Sequence, residues 1–395
     1  MGARRRVIHG AGGGPAGSAA VPGWGLETMA RTGQLSPAPG ERLAELLGVC
    51  ALTSALPEVL VDGAVEADGR TERRIRALSA RTVVYFTLAM WLYPSSGYGE
   101  VMRLLLAGLA RKHRWARPLS VPSTAAITKA RQRLGPGPLR RLFEQVAGPS
   151  ALGAADALPC RWRLMSLDVA LLDVPDSPDN REAYGGGAAA GRALPQVQVL
   201  ALAESATHAV CAAALGSGDA DLVREVLPAL RPGQLVVASR GALSYDLWTR
   251  ARGRGADLLW QAKPSLDLPL LRALDDGSYL SRLAGPTAAD RLVPVRVVDC
   301  VLPAFDRSGR RAGIRTGRLV CSILEPAGAA AADLARLYSE RWRLDTLIDE
   351  LDARQGRARP VLRSKSPAMV EQEVWAMLLT HHAIRALVVG DAAGA

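Results

Sequence analysis

The chain has 395 residues, a formal net charge of +11 at pH 7, 49% hydrophobic residues and only 5% aromatic residues. This length allows two or more domains, and no apolar run approaches the roughly 18 residues that a membrane-spanning helix needs. The positive charge favours a polyanionic partner such as DNA, and five scattered cysteines without a Cys-x-x-Cys pair indicate a reducing cytoplasm and argue against a zinc site.

The first 150 residues divide into a tail and a helical region. Residues 1–35 are rich in Gly, Ala and Pro and lack the compact apolar segment of a secretory signal, which predicts a disordered tail. From residue 36 to residue 150 the apolar spacing predicts helices. One amphipathic helix is expected over 41–65, and two more are expected over 71–115 with a break at 93–97.

A short basic helix is expected over 123–135, because Ser123 can cap its start and it has an apolar face and a basic face. A small helical module that ends in a basic helix is a candidate DNA contact, for example a helix-turn-helix. A solvated helix with ordinary arginines explains the same pattern equally well. On the first interpretation, Arg131 and Arg133 are the residues expected to contact DNA.

From residue 160 the pattern changes to short strands that alternate with helices. Strands are predicted over 162–168, 196–203, 208–213, 234–238 and 257–262, and helices over 221–230 and 245–252. This β-β-β-α-β-α-β order is that of an RNase H-like α/β core. A turn-rich segment at about 264–325 follows, with strands predicted over 292–301 and 318–323.

A helix predicted over 333–354 carries the most distinctive polar pattern in the chain. Its leucines recur at helical spacing and mark a buried face. At about 100° per residue, a neighbouring stripe is formed by Tyr338, Arg341, Asp345, Asp349 and Asp352. The stripe fits either the wall of an active site or a solvated face with ion pairs four residues apart, such as Arg341 with Asp345.

Several motifs resemble those of bacterial insertion-sequence transposases. Tyr338-x-x-Arg341-Trp342, with an acid at position 345, resembles the Tyr-Arg-Glu-Lys signature of the insertion-sequence-4 family, and residues 363–367 and 370–373 continue the likeness. The helical region also resembles the family's N-terminal domain, so that the resemblance extends over about residues 36–388.

The resemblance implies a cytoplasmic, nucleoid-associated, cut-and-paste DDE-type transposase. Its helical N-terminal DNA-binding domain would occupy 36–150, and its RNase H-like domain would occupy 160–388 with a β-rich insertion at about 264–325. The implied substrate is double-stranded DNA, at the element ends and at the target. The implied assembly is a homodimer in a synaptic complex, and the implied cofactor is Mg²⁺ or Mn²⁺.

Phosphoryl transfer by two metal ions needs carboxylates from separate elements, and the resemblance assigns three positions to them. Asp168, expected to end the first strand, matches the first position. The second position holds Ser239, whose neutral hydroxyl cannot supply the charge of a carboxylate to Mg²⁺. The third holds Asp345 where the family has Glu, and its rival Glu350 lies about 140° away round the helix. Asp352 stands where the family has Lys.

The residues that the resemblance assigns to DNA binding are retained. Tyr338 and Arg341 match residues that hold the terminal phosphate of the cut strand. Arg363 and Lys365 lie in a segment suited to contacts with the DNA backbone. A helical or strand tryptophan can stack on a flipped base, but packing in the core is the commoner role, and it is the role predicted for Trp260, Trp342 and Trp375.

The catalytic set is therefore Asp168, Ser239 and Asp345, with Asp168 and Asp345 as weak metal ligands. These departures predict a transposase of a bacterial insertion element that is catalytically impaired in this copy. The alternative is a non-catalytic DNA-binding repressor, or a remnant, derived from a transposase. A carboxylate at position 239 would have favoured the enzyme, whereas Ser239 favours the alternative for present-day activity.

Overall fold

The computed structural model describes residues 43–72, 78–113, 120–148, 162–185, 194–217, 219–239, 244–287, 289–305, 311–341, 344, 347, 351 and 361–393. The predicted tail at 1–35 lies outside these residues. The same holds for Asp345, Glu350, Asp352 and Trp342, so the predictions made for them stay predictions.

Helices make up most of both ends of the described chain. The helices are α1 (Leu43–Ala55), α2 (Glu58–Ala67), α3 (Ala80–Leu92), α4 (Tyr98–His113), α5 (Thr124–Leu134), α6 (Gly137–Val146), α7 (Pro178–Tyr184), α8 (Asp219–Val226), α9 (Tyr245–Gly253), α10 (Ala331–Ser339) and α11 (Pro367–Ala393). The strands are β1 (Arg163–Asp173), β2 (Gln196–Glu204), β3 (Val210–Gly216), β4 (Gln234–Ala238), β5 (Asp257–Gln261), β6 (Arg272–Ala273), β7 (Tyr279–Leu283), β8 (Val293–Phe305) and β9 (Arg311–Cys321).

The single helix expected over 41–65 is wrong, because the chain forms α1 and α2 there. Pro57 lies at the boundary in an extended conformation, with φ −61° and ψ 153°. Proline has no backbone N–H and disfavours a helical conformation in the residue before it, so α1 ends and α2 begins anew. The predicted break at 93–97 is confirmed between α3 and α4. Ser123 caps α5 as expected, since its hydroxyl accepts from the backbone N–H of Ala126.

Helix α11 completes the core of the N-terminal helices. It packs against α3, α5 and α6, and its central residues are fully buried. The indole N–H of Trp91 in α3 donates to the carbonyl of Glu373 in α11 at 2.8 Å. Among the described residues no single helix is long and apolar enough to cross a membrane. Residues Gly48–Ala55 and α2 meet that test only as a pair bent by 60°.

The strands form one mixed sheet in the order β3-β2-β1-β4-β5-β9-β8-β7-β6. Strands β1, β4 and β5 run parallel, and β2 and β3 pair antiparallel beside them. The predicted order of three strands, helix, strand, helix and strand is confirmed, with the short helix α7 added after β1. The strands of the turn-rich segment extend the same sheet beyond β5. The chain is thus a mixed α/β protein.

Two faces of the sheet are covered by different helices. On one face, Met165 and Val236 pack with Trp248 of α9. On the other face, Leu235 and Leu259 pack with α10. This alternation follows from the period of two in a strand, and it decides which side chains of the sheet can meet α10.

The predicted helix over 333–354 is wrong as one continuous helix. Helix α10 ends at Ser339, with Glu340 as its C-cap, and Arg341 is not helical. The guanidinium of Arg341 turns back and donates to the carbonyl of Tyr338 at 3.1 Å. A cation that satisfies the last carbonyls of a helix stabilises its end, so the predicted polar stripe is interrupted after Tyr338.

Candidate functional site

Three polar residues lie at one level of the sheet, where β4 and β5 end. Leu167 of β1 lies opposite Ala238 of β4, and Ala238 lies opposite Trp260 of β5. One residue further along these parallel strands are Asp168, Ser239 and Gln261, which we call the polar row. Adjacent strands lie about 4.8 Å apart, so the three side chains are neighbours across the sheet.

The polar row faces α10. Leu164, Val237 and Leu259 pack on the α10 face, and each lies two or four positions before the polar-row residue on its strand. The predicted end of the first strand at Asp168 is wrong, because β1 continues to Asp173 by pairing with β2. Asp168 therefore lies in the middle of a strand, half-buried, beside the end of its parallel neighbour β4, and β5 ends one strand further along the sheet.

Asp168 contacts the segment that follows α10. Its Oδ2 accepts the backbone N–H of Leu344 at 3.1 Å. Leu344 is buried and directly precedes Asp345 in the sequence. The fold therefore brings the segment that carries the third predicted position to the first. The distance between the carboxylates of Asp168 and Asp345 lies outside the described residues.

Gln261 is a site residue that the sequence analysis missed. Its side-chain oxygen accepts the hydroxyl of Tyr338 at 3.1 Å and a guanidinium N–H of Arg315 at 3.0 Å. A Cβ on Gly317 would lie 2.9 Å from the amide nitrogen of Gln261, so glycine permits this close approach. The available signal was a polar residue in the last position of a strand, directly after three apolar residues.

Tyr338 and Arg341 lie together over the end of the sheet. The guanidinium carbon of Arg341 is 4.2 Å from the centre of the Tyr338 ring, within the range of a cation–π interaction. Tyr338 is only 1% exposed, and its hydroxyl is bound to Gln261. The predicted contact of Tyr338 with a DNA phosphate would require that hydrogen bond to break, whereas Arg341 is only half-buried.

A cleft with a volume of about 570 Å³ extends from Gln261 along the middle of the paired strands β8 and β9. Arg315 and Arg318 contribute to its lining with Asp299 as the acidic residue. Arg318 also donates to the carbonyl of Pro264, which fixes the loop after β5. Most of the cleft lining is apolar surface, and its two arginines and one aspartate give it an excess of positive charge, which suits an anionic group.

The prediction that Arg131 contacts DNA is wrong for this fold. Its side chain is 0% exposed and is bound to Gln372 and Ser364 in the interior. Arg133 is 38% exposed and forms an ion pair with Glu72 at 3.3 Å. Lys129 is exposed on the same helix. The cations of α5 that solvent can reach are therefore Lys129 and, in part, Arg133.

Arg363 is half-buried, and its guanidinium binds the end of α3 and the turn after it, so its contact with DNA stays a prediction. It donates to the carbonyls of Ser96 at 2.8 Å and Tyr93 at 3.0 Å. The carbonyl of Tyr93 also accepts the backbone N–H of Ser96 at 3.1 Å, so the guanidinium adds a donor at the C-terminal end of α3. Lys365, two residues later, is exposed and stays a candidate for a phosphate contact.

The donor set of the polar row does not fit a pair of divalent metals. Within the described residues, no group of three or more His, Cys, Asp or Glu side chains is close enough to hold a metal. The row supplies one carboxylate, one hydroxyl and one amide. Mg²⁺ prefers charged oxygen ligands, and Asp168 already accepts a backbone N–H.

The predicted core role of two tryptophans is confirmed. Trp260 is buried and packs edge-to-face on Trp248 at 5.2 Å, and Trp375 packs on Phe143. Within the described part of the chain, these rings fill the core and do not face the polar row.

Known proteins share sequence with both the helical region and the sheet. Residues 47–144 match the family model described as the N-terminal part of the insertion element 4 transposase. The chain is 26% identical to the transposase InsG for insertion sequence element IS4 of Escherichia coli (strain K12) over 336 residues, which cover 82% of this chain and 73% of that protein. It is also 26% identical to the putative transposase InsZ of the same organism over 151 residues, 36% of this chain and 50% of that protein. The predicted resemblance to insertion-sequence-4 transposases is thus confirmed.

Proposed function

The matches support an insertion-element transposase, and we propose that this copy binds double-stranded DNA but is impaired in cutting and joining it. The observation that carries the proposal is the polar row, in which Asp168 is the one carboxylate and Ser239 and Gln261 are neutral. A two-metal reaction needs charged oxygens on both sides of the scissile phosphate. Ser239 follows β4, the strand between β1 and β5, and it supplies only a hydroxyl.

The strand order supports an RNase H-like core for the part of the chain from β1 to β5. Strands β1, β2 and β3 pair antiparallel in sequence, and β4 and β5 are added in parallel on the other side of β1. In this proposal α8 and α9 are the crossover helices. The strands of β6–β9 form the β-rich insertion that extends the sheet.

Asp168 and Asp345 are the residues proposed to hold Mg²⁺ or Mn²⁺, which would polarise a DNA phosphate when bound. Because Ser239 is neutral, we expect the metal to bind weakly. The other residues act without metal. Arg341 and Lys365 would neutralise phosphates, and such contacts dominate affinity for DNA. The proposed partner is duplex DNA, recognised by a homodimer at element ends.

A non-catalytic repressor is the second candidate, and the replacement of a carboxylate by Ser239 favours it. The two candidates share DNA binding and differ in turnover. Residual cleavage with Mn²⁺ would favour an impaired enzyme, whereas specific binding without any cleavage would favour a repressor.

One gel experiment tests the proposal. The purified chain is mixed with labelled duplexes cut from the DNA that flanks its gene, with Mg²⁺, with Mn²⁺ or with EDTA. We expect retarded complexes under all three conditions and no strongly metal-dependent nicked product. Rapid nicking by the unmodified chain would contradict the impairment, and a lack of retardation at low salt would contradict DNA binding.

A further inference from the structure

Residues 361–366 form the segment that precedes α11, and this segment is held from several sides. Within it Leu362 and Ser364 are buried, while Lys365 is exposed. The backbone N–H of Leu362 donates to the carbonyl of Asp173 at the end of β1 at 2.9 Å. The carbonyl of Lys365 accepts the hydroxyl of Ser177 at 2.7 Å. The segment therefore has a fixed backbone on both sides of one exposed cation.

A buried charged cluster lies directly beneath this segment. Arg131 donates to the hydroxyl of Ser364 at 3.1 Å, and that hydroxyl donates to the carboxylate of Glu373 at 2.6 Å. The same carboxylate accepts the backbone N–H of Arg363 at 3.0 Å. We call Arg131, Ser364 and Glu373 the clasp.

The clasp joins α5 to a distant part of the sequence, the 361–366 segment and the helix α11 that directly follows it. Arg131 comes from α5, and its Nε donates to Gln372 of α11 at 2.8 Å. Gln372 in turn donates to the carbonyl of Arg131 at 3.0 Å and to that of Gly135 at 2.8 Å. The hydroxyl of Ser364 contacts only clasp residues among the described contacts. Its carbonyl accepts the side-chain amide of Asn180 at 3.1 Å, which fixes the 361–366 segment.

Buried ion networks stabilise a fold poorly, because removing two charges from water offsets most of their attraction. In some proteins such buried polar groups instead fix one arrangement of the chain. The clasp fixes the backbone that carries Lys365, and a cation on a pre-arranged backbone loses less freedom when it binds.

We propose that Arg131, Ser364 and Glu373 are positioning residues that present Lys365 to a phosphate of duplex DNA. The inference rests on the proposed DNA binding and adds residues that do not themselves touch DNA. Arg131 thus supports binding from the interior, and Lys365 makes the contact.

A double-mutant cycle tests the proposal. Ser364→Ala, Lys365→Ala and the double variant are titrated with a labelled 30-base-pair duplex at several salt concentrations, where about 30 base pairs accommodates several phosphate contacts. We expect Ser364→Ala to weaken binding about threefold to tenfold in the native background and to have almost no effect when Lys365 is already Ala. Lys365→Ala should lower the salt slope by about one unit.

Two further variants keep the test decisive. If circular dichroism shows that Ser364→Ala does not fold, Glu373→Gln takes its place in the cycle. This variant keeps the size of the Glu373 side chain and removes its charge. Arg133→Ala removes a cation from α5, the helix that carries Arg131, and leaves the clasp intact. Its effect on DNA affinity should therefore add to that of Lys365→Ala.

The outcomes separate the two proposals. If the native chain does not bind the duplex at low salt, both the proposed function and the positioning role are overturned. If it binds but the clasp variant weakens binding equally in both backgrounds, or in neither, only the positioning role is overturned.

Discussion

The polar row and the clasp are both polar sites beside the same sheet, but they hold charge differently. In the polar row Asp168 stands beside the neutral Ser239 and Gln261. In the clasp a buried cation and a buried anion are joined through the hydroxyl of Ser364. The polar row has fewer charges than a two-metal site needs, whereas the clasp pairs its buried cation with a buried anion. This difference is the one that the proposed function, DNA binding with impaired cleavage, requires.

The largest expected effect is a gain of cleavage when the missing charge is returned to the polar row. Ser239→Asp combined with Asp345→Glu should raise Mn²⁺-dependent nicking at least roughly tenfold, because two carboxylates then flank Asp168. Asp352→Lys should increase it further by removing a negative charge near DNA. The control is Ser239→Asn, which has the shape of Asp without its charge. Equal nicking by the Asn and Asp variants would show that the missing charge at position 239 does not limit cleavage.

The next largest effect is a loss of stability when the clasp loses its cation. Arg131→Ala leaves Glu373 buried without a partner cation in the clasp and should lower the free energy of unfolding by about 3–5 kcal/mol. Arg133→Ala, in the same helix, removes a half-exposed ion pair and should lower it by less than about 1 kcal/mol. Urea unfolding followed by circular dichroism measures both. Similar losses in the two variants would show that burial does not distinguish these arginines.

A smaller effect is expected at Gln261, the neutral end of the polar row. Gln261→Leu removes the acceptor for Tyr338 and Arg315 and should lower the free energy of unfolding by about 1–3 kcal/mol. Tyr338→Phe removes one of these two hydrogen bonds and should cost about half as much. Thermal unfolding provides the measurement. A Gln261→Leu protein as stable as the native one would mean that the polar row contributes no structural support to α10.

The order of strands and helices followed from the sequence because alternation and helical spacing are local properties. The sequence also contains a local signal for the burial of Arg131. Ile127, Arg131 and Leu134 share one helical stripe, so Arg131 belongs to the buried face of α5. The neighbouring cations Lys129 and Arg133 lie on the more exposed side of α5, and the sequence analysis assigned Arg131 to that side with them.

Other features depend on contacts between distant residues and could not be read locally. The polar row depends on the register in which β1, β4 and β5 pair. The residues next to Gln261 in the sequence do not indicate that it lies level with Asp168. The end of α10 depends on Arg341 turning back onto Tyr338, which helical spacing does not reveal. The break between α1 and α2 does have a local signal in Pro57.

The most direct test of the account is a titration of Mn²⁺ into the DNA-bound protein, followed by calorimetry. The polar row of the native chain supplies one carboxylate, so we expect no saturable site below millimolar Mn²⁺. The Ser239→Asp, Asp345→Glu variant should show a saturable site under the same conditions. Two tight Mn²⁺ ions per native chain would contradict the claim that this protein keeps its DNA-binding frame but has lost its metal-binding charges.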